Sequence, residues 1–490
     1  MTAERKRELP DYVANPRGFH LIGVCGTGMG SLAVMLKRSG YAVSGSDTGF
    51  YAPMSEILQR NAIACFEGWS GRHLDALDAA RDIVVVGNVC RRDNPEAVAA
   101  LERGFACLSL PEVLYLFYLK DARKRVCIAG THGKTTTSSI TTAILEACGK
   151  APSFFIGGEV LAYGTGARKG DLEYFVIEGD EYDSAYFDKV PKFWHYAPNV
   201  LCINNIEYDH ADIYDSVQEI VDVFKKLVAM LPRDALIVYN SDDARVVDVL
   251  GEANCASFGF SVKNADARFY AENIEYLEGG GVSFDVYDSG AKIIRLHSPN
   301  LSGVHNVYNL LAAYAMAVCE GLEPSEISEA IRAFRGVRKR QELIADVGGV
   351  RIYDDFAHHP TAVRETVTAL RRMFPERKLW AVFEIKSNTS RRAIFQADYP
   401  EALREADEII LSAPWRKDNL PPEQLISVPK IVDDLREMGC SAQLLPTVSQ
   451  IVEYLSLHCA PGDIVLAMSG SSFDGLHHRL AASLQSRDEI

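Results

Sequence analysis

The stretch at residues 126–139, VCIAGTHGKTTTSS, constrains the fold most. An apolar, strand-like run ends there in a glycine turn, a lysine and a row of hydroxyl side chains. A strand delivering a glycine turn into a helix N-terminus offers unpaired backbone N–H groups, and the positive end of the helix dipole, to phosphate oxygens. In that geometry Lys134 reaches the outer phosphates and the Thr135 hydroxyl faces a magnesium ion. The usual pattern is G-x-x-x-x-G-K-[ST]. Here the position five before Gly133 is Ile128, and the first glycine is Gly130.

The surrounding chain alternates in the way that sets such a strand inside a mostly parallel α/β sheet. From Phe19 the order is strand (HLIGVCG), helix (MGSLAVMLKRSG), strand (YAVSGSD), helix (MSEILQRNA) and strand (DIVVVGN). This predicts a Rossmann-like first domain, with the charged segment DARKR as a linker. A second α/β unit opens with VCIAGTHGKTTT, continues through the strands EYFVIEGDE and VLCINNIEYDH, and closes with the helix LLAAYAMAVCEG. A third begins near Gly336, with VRIYDDFA, KLWAVFEI, EIILSAP and DIVLAMSG as strands. At 490 residues about three domains are expected, and the boundaries read as 1–123, 124–335 and 336–490.

The formal charge of −15 argues against a nucleic-acid surface, which needs a basic field, so an anionic ligand must be held by local devices. Eleven cysteines, an odd total without a C-x-x-C pair, point to reduced thiols in the cytoplasm rather than a disulfide framework or zinc site. The opening MTAERKRELPDY lacks the apolar core of a signal peptide. No later run approaches the ~20 apolar residues of a membrane span.

Further motifs carry chemistry. Glu178 ends an apolar run, where an α/β sheet presents ligands, and the neighbouring strand, VLCINNIEYDHAD, ends in Glu207, Asp209, His210 and Asp212. A hard cation bridging phosphates takes oxygen ligands from such strand ends, and a histidine can complete the set. GVCGTGMG, with Asp47 at the end of the next strand, imitates a dinucleotide fingerprint, although it is G-x-G-x-G and suits a UDP diphosphate equally well. GVHNVYNLLAA places His305, Asn306 and Asn309 at a helix start, either facing a ligand or capping the helix. YDDFAHHPTAV sets Asp354, Asp355, His358 and His359 before a helix opened by Pro360. Adjacent histidines do not share a face, so His358 and His359 do not form a two-histidine zinc site.

In this order, GTHGKTTT, IEGDEYD, NNIEYDHAD, GVHNVYNLLAA, RKRQE and YDDFAHHPT resemble the Mur ligases, ATP-dependent amide-forming enzymes of bacterial peptidoglycan assembly. The resemblance covers nearly the whole chain. It implies three domains: a Rossmann-like domain for a UDP-linked muramate, a P-loop central domain for ATP and Mg²⁺, and a Rossmann-like C-terminal domain. VCGTGMGSLA and SGSD look like the muramate-side members. DEYDSAYFDKVPKFWHYAP, VVGNVCRRDNPE and FEIKSNTSR look like those that attach the tripeptide L-alanyl-γ-D-glutamyl-meso-diaminopimelate to UDP-N-acetylmuramate in cell-wall recycling. The alternative amine donor within this branch is L-alanine.

The resemblance carries over residue by residue. Gly130, Thr131, His132, Gly133, Lys134, Thr135 and Thr136 resemble the ATP phosphate loop, and Thr135, Glu178 and His210 the magnesium ligands. His305, Asn306 and Asn309 match nucleotide contacts, while Arg340 and Asp355 match the pair that the C-terminal domain brings onto ATP. Thr27, Gly28, Met29, Asp47 and Asn88 fall on the UDP-muramate side. Lys386, Ser387 and Asn388, with His358 and His359, fall on the peptide side, the two histidines also being candidates for the base. Lys386 stands where relatives tend to have arginine. Lys225, which could correspond to a carbamylated lysine of some Mur ligases, reads instead as a solvated helix residue. Two rival readings are a nicotinamide-dependent dehydrogenase using the first glycine loop and a non-catalytic P-loop protein. The first leaves Lys134 and Thr135 unexplained; the second has no need of Glu178 and His210.

Overall fold

The computed structural model describes residues 9–413 and 421–488 and contains three sheets. Residues 1–8 of the opening segment and Pro414, which closes EIILSAP, lie outside the described residues. The first sheet is wholly parallel, ordered Ala64–Glu67, Ala42–Asp47, Gly18–Ile22, Asp82–Val86, Ala106–Leu108. Gly18–Ile22 and Asp82–Val86 are buried along their whole length, which is why they read as continuous apolar runs. The first strand stops at Ile22 rather than Gly26, because Gly23 turns the chain at φ 90°, and the following helix starts at Thr27.

The central sheet has ten strands, and its topology corrects one expectation. Asp171–Gly179, which ends near Glu178, and Val200–Ile203, which precedes His210, are not neighbours. The strand Lys124–Ala129 lies between them, pairing Ile128 with Glu178 on one side and Ala129 with Ile203 on the other. Val200–Ile203 also stops four residues short of Glu207, so the acids of that segment follow the strand in a loop. DARKR is only partly a linker, since Lys124 and Arg125 already pair within the sheet. Beyond Ala256–Ser261 the sheet continues through Phe269–Tyr276 and the antiparallel strands Val282–Asp288 and Ala291–Ser298.

The helix Lys134–Ala147 is rich in Thr and Ser, poor intrinsic helix formers. It persists because every residue from Thr135 to Thr142 is buried between the sheet and the apolar helix Val304–Cys319. Two hydroxyls bond back to the preceding turn, Ser139 to the Thr135 carbonyl at 2.7 Å and Thr141 to that of Thr137 at 2.8 Å.

The third sheet runs Glu342–Val347, Val350–Asp355, Ile464–Met468, Leu379–Phe383, Glu408–Leu411, Ser441–Leu444, antiparallel only at its first pair. One hydrophobic cluster runs from Phe19 and Leu114 in the first unit to Phe175 and Phe224 in the central one. The third unit has apolar clusters of its own. Many of its contacts with the phosphate loop and the 207–212 loop are polar, an arrangement that can part without exposing a large core. All eleven cysteines are free thiols. Among the described residues no helix is long and apolar enough to cross a membrane.

Candidate functional site

Gly130 and Gly133 adopt φ of 133° and 81°, and Gly133 caps the helix that begins at Lys134. A Cβ on Gly133 would lie 2.3 Å from Oδ1 of Asn309, so the turn needs glycine for both conformation and space. Thr131 and His132 are pinned through their N–H groups to the carbonyl and side chain of Asn205, at 3.0 and 2.8 Å. These two bonds fix the frame of the loop, and the N–H groups it offers a phosphate are those that open the helix at Lys134.

Lys134 folds back over this turn, donating to the Gly130 carbonyl at 2.7 Å and to Glu181 at 3.0 Å. Burial opposes its charge, yet Glu181 and Asp180 outweigh burial and hold the ammonium above its usual range. Glu181 is 1% exposed and also faces Nε2 of His210 at 3.3 Å. Burial lowers the basicity of His210, but Glu181 and Asp209 more than compensate and raise it. Sequence reasoning passed over Glu181 in IEGDEYD. The only available signal was its place three residues beyond Glu178, and a linear motif does not show which acid turns inward. Lys192 was missed likewise; it is half-buried, pairs with Asp180 at 3.0 Å and lies 4.0 Å from the Tyr182 ring.

Glu178 accepts from the Gly157 N–H at 2.8 Å and is held by the Thr135 hydroxyl. Burial and then Asp180 raise its carboxyl above the ordinary range, and a cation on it would oppose that shift. Thr135 and Glu178 are thus brought together, while the ring of His210 is engaged by Glu181 and packs at a 47° tilt against Tyr182, with centroids 4.6 Å apart. The main-chain φ of His210 is 53°, and its N–H donates to Asp209 and to Thr389 of the third unit.

Arg340 reaches from the third unit to Oγ1 of Thr135 at 3.2 Å, its guanidinium 5.0 Å from the Phe356 ring. Asp355 positions that arm: its carboxylate accepts from the N–H groups of Gln341 at 2.7 Å and Ala357 at 2.8 Å. Gln341 and Lys339 have positive φ, and the Asp355 bond fastens this turn. Burial raises the Asp355 carboxyl, with Arg340 and the two N–H groups pulling the other way. Asn306 and Asn309 are buried in a chain of hydrogen bonds running from Gln341 through Asn306, Asn309 and Thr137 to Asn204. His305 caps neither end of its helix. Burial, then Arg340 and His132, push its imidazole down to about 4, and Gln341 lies 3.3 Å from its Nε2.

The segment around Lys386 lies against the 209–212 loop. Asn388 donates to Asp212 at 3.1 Å, Ser387 bonds Ser390 at 2.8 Å, and Lys386 lies 3.7 Å from Glu384. Arg391, buried in the same turn, donates to Asn388 and was not singled out from sequence. Nδ1 of His358 is bonded to the Phe356 carbonyl, while His359 caps the helix Pro360–Met373 and reaches the Tyr208 carbonyl. Lys225 pairs with Asp248 at 2.9 Å on the surface of Val217–Ala229.

In the first unit, Thr27, Asp47 and Asn88 gather at the carboxyl ends of adjacent strands, where the strand order reverses. Asp47 accepts from the Cys25 N–H at 2.9 Å. Gly28 and Gly30 serve packing: a Cβ would meet Leu110 at 3.3 Å or Met54 at 2.2 Å, and Met29 is buried beside them.

A P-loop lysine and threonine, buried acids at the same sheet edge and an arginine delivered by a further α/β unit define a nucleotide-dependent group-transfer enzyme of three units. Family profiles match along the chain: Mur ligase family, catalytic domain, at residues 18–119; Mur ligase middle domain at 128–317; and Mur ligase, glutamate ligase domain, at 339–471. The chain belongs to the Mur ligase family of ATP-dependent ligases. It is 35% identical over 472 residues to the UDP-N-acetylmuramate–L-alanyl-γ-D-glutamyl-meso-2,6-diaminoheptandioate ligase of Escherichia coli K12, covering 96% of this chain and 99% of that one. A UDP-N-acetylmuramate–L-alanine ligase of Alkaliphilus metalliredigens is 32% identical over 92% of this chain and 94% of its own. The crystal structure of a murein peptide ligase from Psychrobacter arcticus superposes with a TM-score of 0.71 at 32% identity, covering 96% of this chain and 99% of that one.

Proposed function

We propose that this ligase joins L-alanyl-γ-D-glutamyl-meso-diaminopimelate to UDP-N-acetylmuramate, with release of ADP and phosphate, in cytoplasmic peptidoglycan recycling. The observation that carries the chemistry is the convergence of Lys134, Thr135, Glu178 and Arg340 on one turn. The relatives of 35% and 32% identity named for that tripeptide or for murein peptide support the choice of donor. L-Alanine is the alternative donor, supported by the 32% identical alanine ligase. The domains divide at residues 123 and 335 in this reading, with Thr27, Gly28, Met29, Asp47 and Asn88 on the UDP-muramate side.

The phosphate loop fits a nucleotide: two glycines at positive φ open a helix whose first N–H groups have no partner within the helix. Thr135 and Glu178 offer hard oxygen donors to Mg²⁺, with His210 close by through Glu181. When bound, ATP supplies the phosphoryl group that turns an unreactive carboxylate into an acyl phosphate, and Mg²⁺ supplies positive charge on the phosphates.

The protein's share is positioning and charge. Lys134 and Arg340 neutralise negative charge developing on the transferred group, and both already point at the turn that would hold it. The 386–391 segment orients the peptide beside His210. His358 is the better placed of the two base candidates. Its Nδ1–H donates to the Phe356 carbonyl and leaves Nε2 as acceptor, whereas both nitrogens of His359 are engaged.

The test is ATP consumption with UDP-N-acetylmuramate and either the tripeptide or L-alanine as the amine. Tripeptide-dependent ADP release is expected. Preference for L-alanine overturns the donor and keeps the chemistry, while no release with either overturns the ligase reading of the site.

A further inference from the structure

His132, Glu207 and His359 come from three distant segments, yet each offers one ligand atom and all three atoms lie within 4.8 Å of one another. Oε2 of Glu207 is 3.4 Å from Nε2 of His132 and 3.8 Å from Nδ1 of His359. Donors about 2.1 Å from a tetrahedral ion stand about 3.4 Å apart, so small side-chain rotations close a coordination sphere here. We propose that these three residues form a site for one divalent transition-metal ion of the zinc class, tying the C-terminal unit to the phosphate loop. The proposal is independent of which amine the ligase uses.

The surroundings are those of a metal site. Nε2–H of His359 donates to the Tyr208 carbonyl at 3.2 Å, which leaves Nδ1, the nitrogen nearer Glu207, as the lone-pair atom. The Thr361 hydroxyl donates to Oε2 of Glu207 at 2.7 Å and orients the carboxylate. The Thr361 N–H now uses Nδ1 at 3.3 Å, and an ion would take its place. His359 is 6% exposed, but His132 and Glu207 are 20% and 30% exposed, so an ion can enter from solvent and retain a water as fourth ligand. Two imidazoles and a carboxylate favour zinc over magnesium, which prefers oxygen alone. Of the two adjacent histidines, His358 turns to the Phe356 carbonyl, and His359 meets His132 with ring centroids 4.7 Å apart.

His132 lies in the phosphate loop and His359 caps the first helix after Asp355, so an ion here cross-links two units. The experiment uses the full chain, titrated with Zn²⁺ against a chromophoric chelator, alongside Glu207→Gln and His359→Gln. One tight equivalent is expected, weakened at least tenfold in each variant. The Co²⁺-loaded protein should give a tetrahedral visible spectrum without a thiolate charge-transfer band. Unchanged affinity in both variants overturns the site, because the ion is then held elsewhere, and so does a thiolate band, which would make free cysteines the ligands. Should a variant fail to fold, crystals of the wild type soaked in Zn²⁺ decide. An anomalous peak between the three side chains supports the site, and peaks only elsewhere overturn it.

Discussion

The guanidinium of Arg340 donates to Oγ1 of Thr135 across 3.2 Å, joining the C-terminal unit to the first turn of the phosphate-loop helix. The partners are 205 positions apart, and the turn carrying Arg340 is itself held by Asp355. Arg340→Ala should lower kcat about 10²- to 10³-fold, the usual effect of removing one preorganised donor from a charge-developing centre. The loss should fall on kcat rather than on UDP-N-acetylmuramate affinity, measured by steady-state kinetics beside calorimetric binding. Equal losses in both would place Arg340 in substrate binding instead.

Lys134→Ala should abolish ATP-dependent ligation while UDP-N-acetylmuramate still binds. It removes the ion that balances buried Glu181, leaving that acid with His210 as its remaining partner. Breaking a buried pair from one side typically costs about 3–5 kcal/mol, so the thermal midpoint should also fall unless nucleotide is added. Turnover and calorimetry on the same preparation check both. Undiminished turnover would sink the assignment of the loop.

The sheet-forming segments were legible because their strands are buried on both faces and therefore read as unbroken apolar runs, as in VCIA, YFVI and IVLAM. Short edge strands such as Ala64–Glu67 and Ser441–Leu444 carry too little apolar signal, and the first of these is exposed throughout. Within the site, Lys134 and Thr135 were legible because their chemistry is local to one turn. Glu181, Lys192 and Gln341 matter through partners 47, 12 and 35 positions away, and a linear motif does not record such pairings. His132 with His359 was hidden for the same reason.

Gly133→Ala tests whether the loop needs glycine for its own conformation. The added methyl meets φ 81° and a carboxamide oxygen 2.3 Å away, belonging to the Asn309 that links the two central helices. A left-handed alanine costs about 1–2 kcal/mol, and displacing Asn309 adds the loss of its bonds to Thr137 and Asn306. Chemical denaturation should show a destabilisation of about 2–4 kcal/mol. Asn309→Ala in the same background should be clearly less than additive, because the clash disappears with the side chain. Full additivity would mean that the two residues do not contact.

Depressed histidines should erode stability on the acid side from about pH 6.5, while Asp354, whose carboxyl burial raises to about 6, works against them as pH falls further. His305, His359 and His477 are each pushed down to about 4, in every case chiefly by burial. A depressed folded-state value means that between pH 6.5 and 4 the unfolded chain binds protons that the folded chain does not. Stability is therefore complete above the unfolded value and declines as pH falls towards 4. Each such histidine steepens the decline by at most about 1.4 kcal/mol per pH unit. His210, raised above its ordinary value by Glu181 and Asp209 despite burial, works in the opposite sense: its stabilisation is full below about 6.5 and is lost as pH rises through its folded value. His477 lies in the C-terminal unit outside the candidate site, 3.8 Å from the carboxylate of Asp354, so His477→Gln probes this histidine together with its acidic neighbour. Calorimetric midpoints at pH 7 and pH 5 should differ by less in this variant than in the wild type, and an unchanged gap would remove His477 from the account.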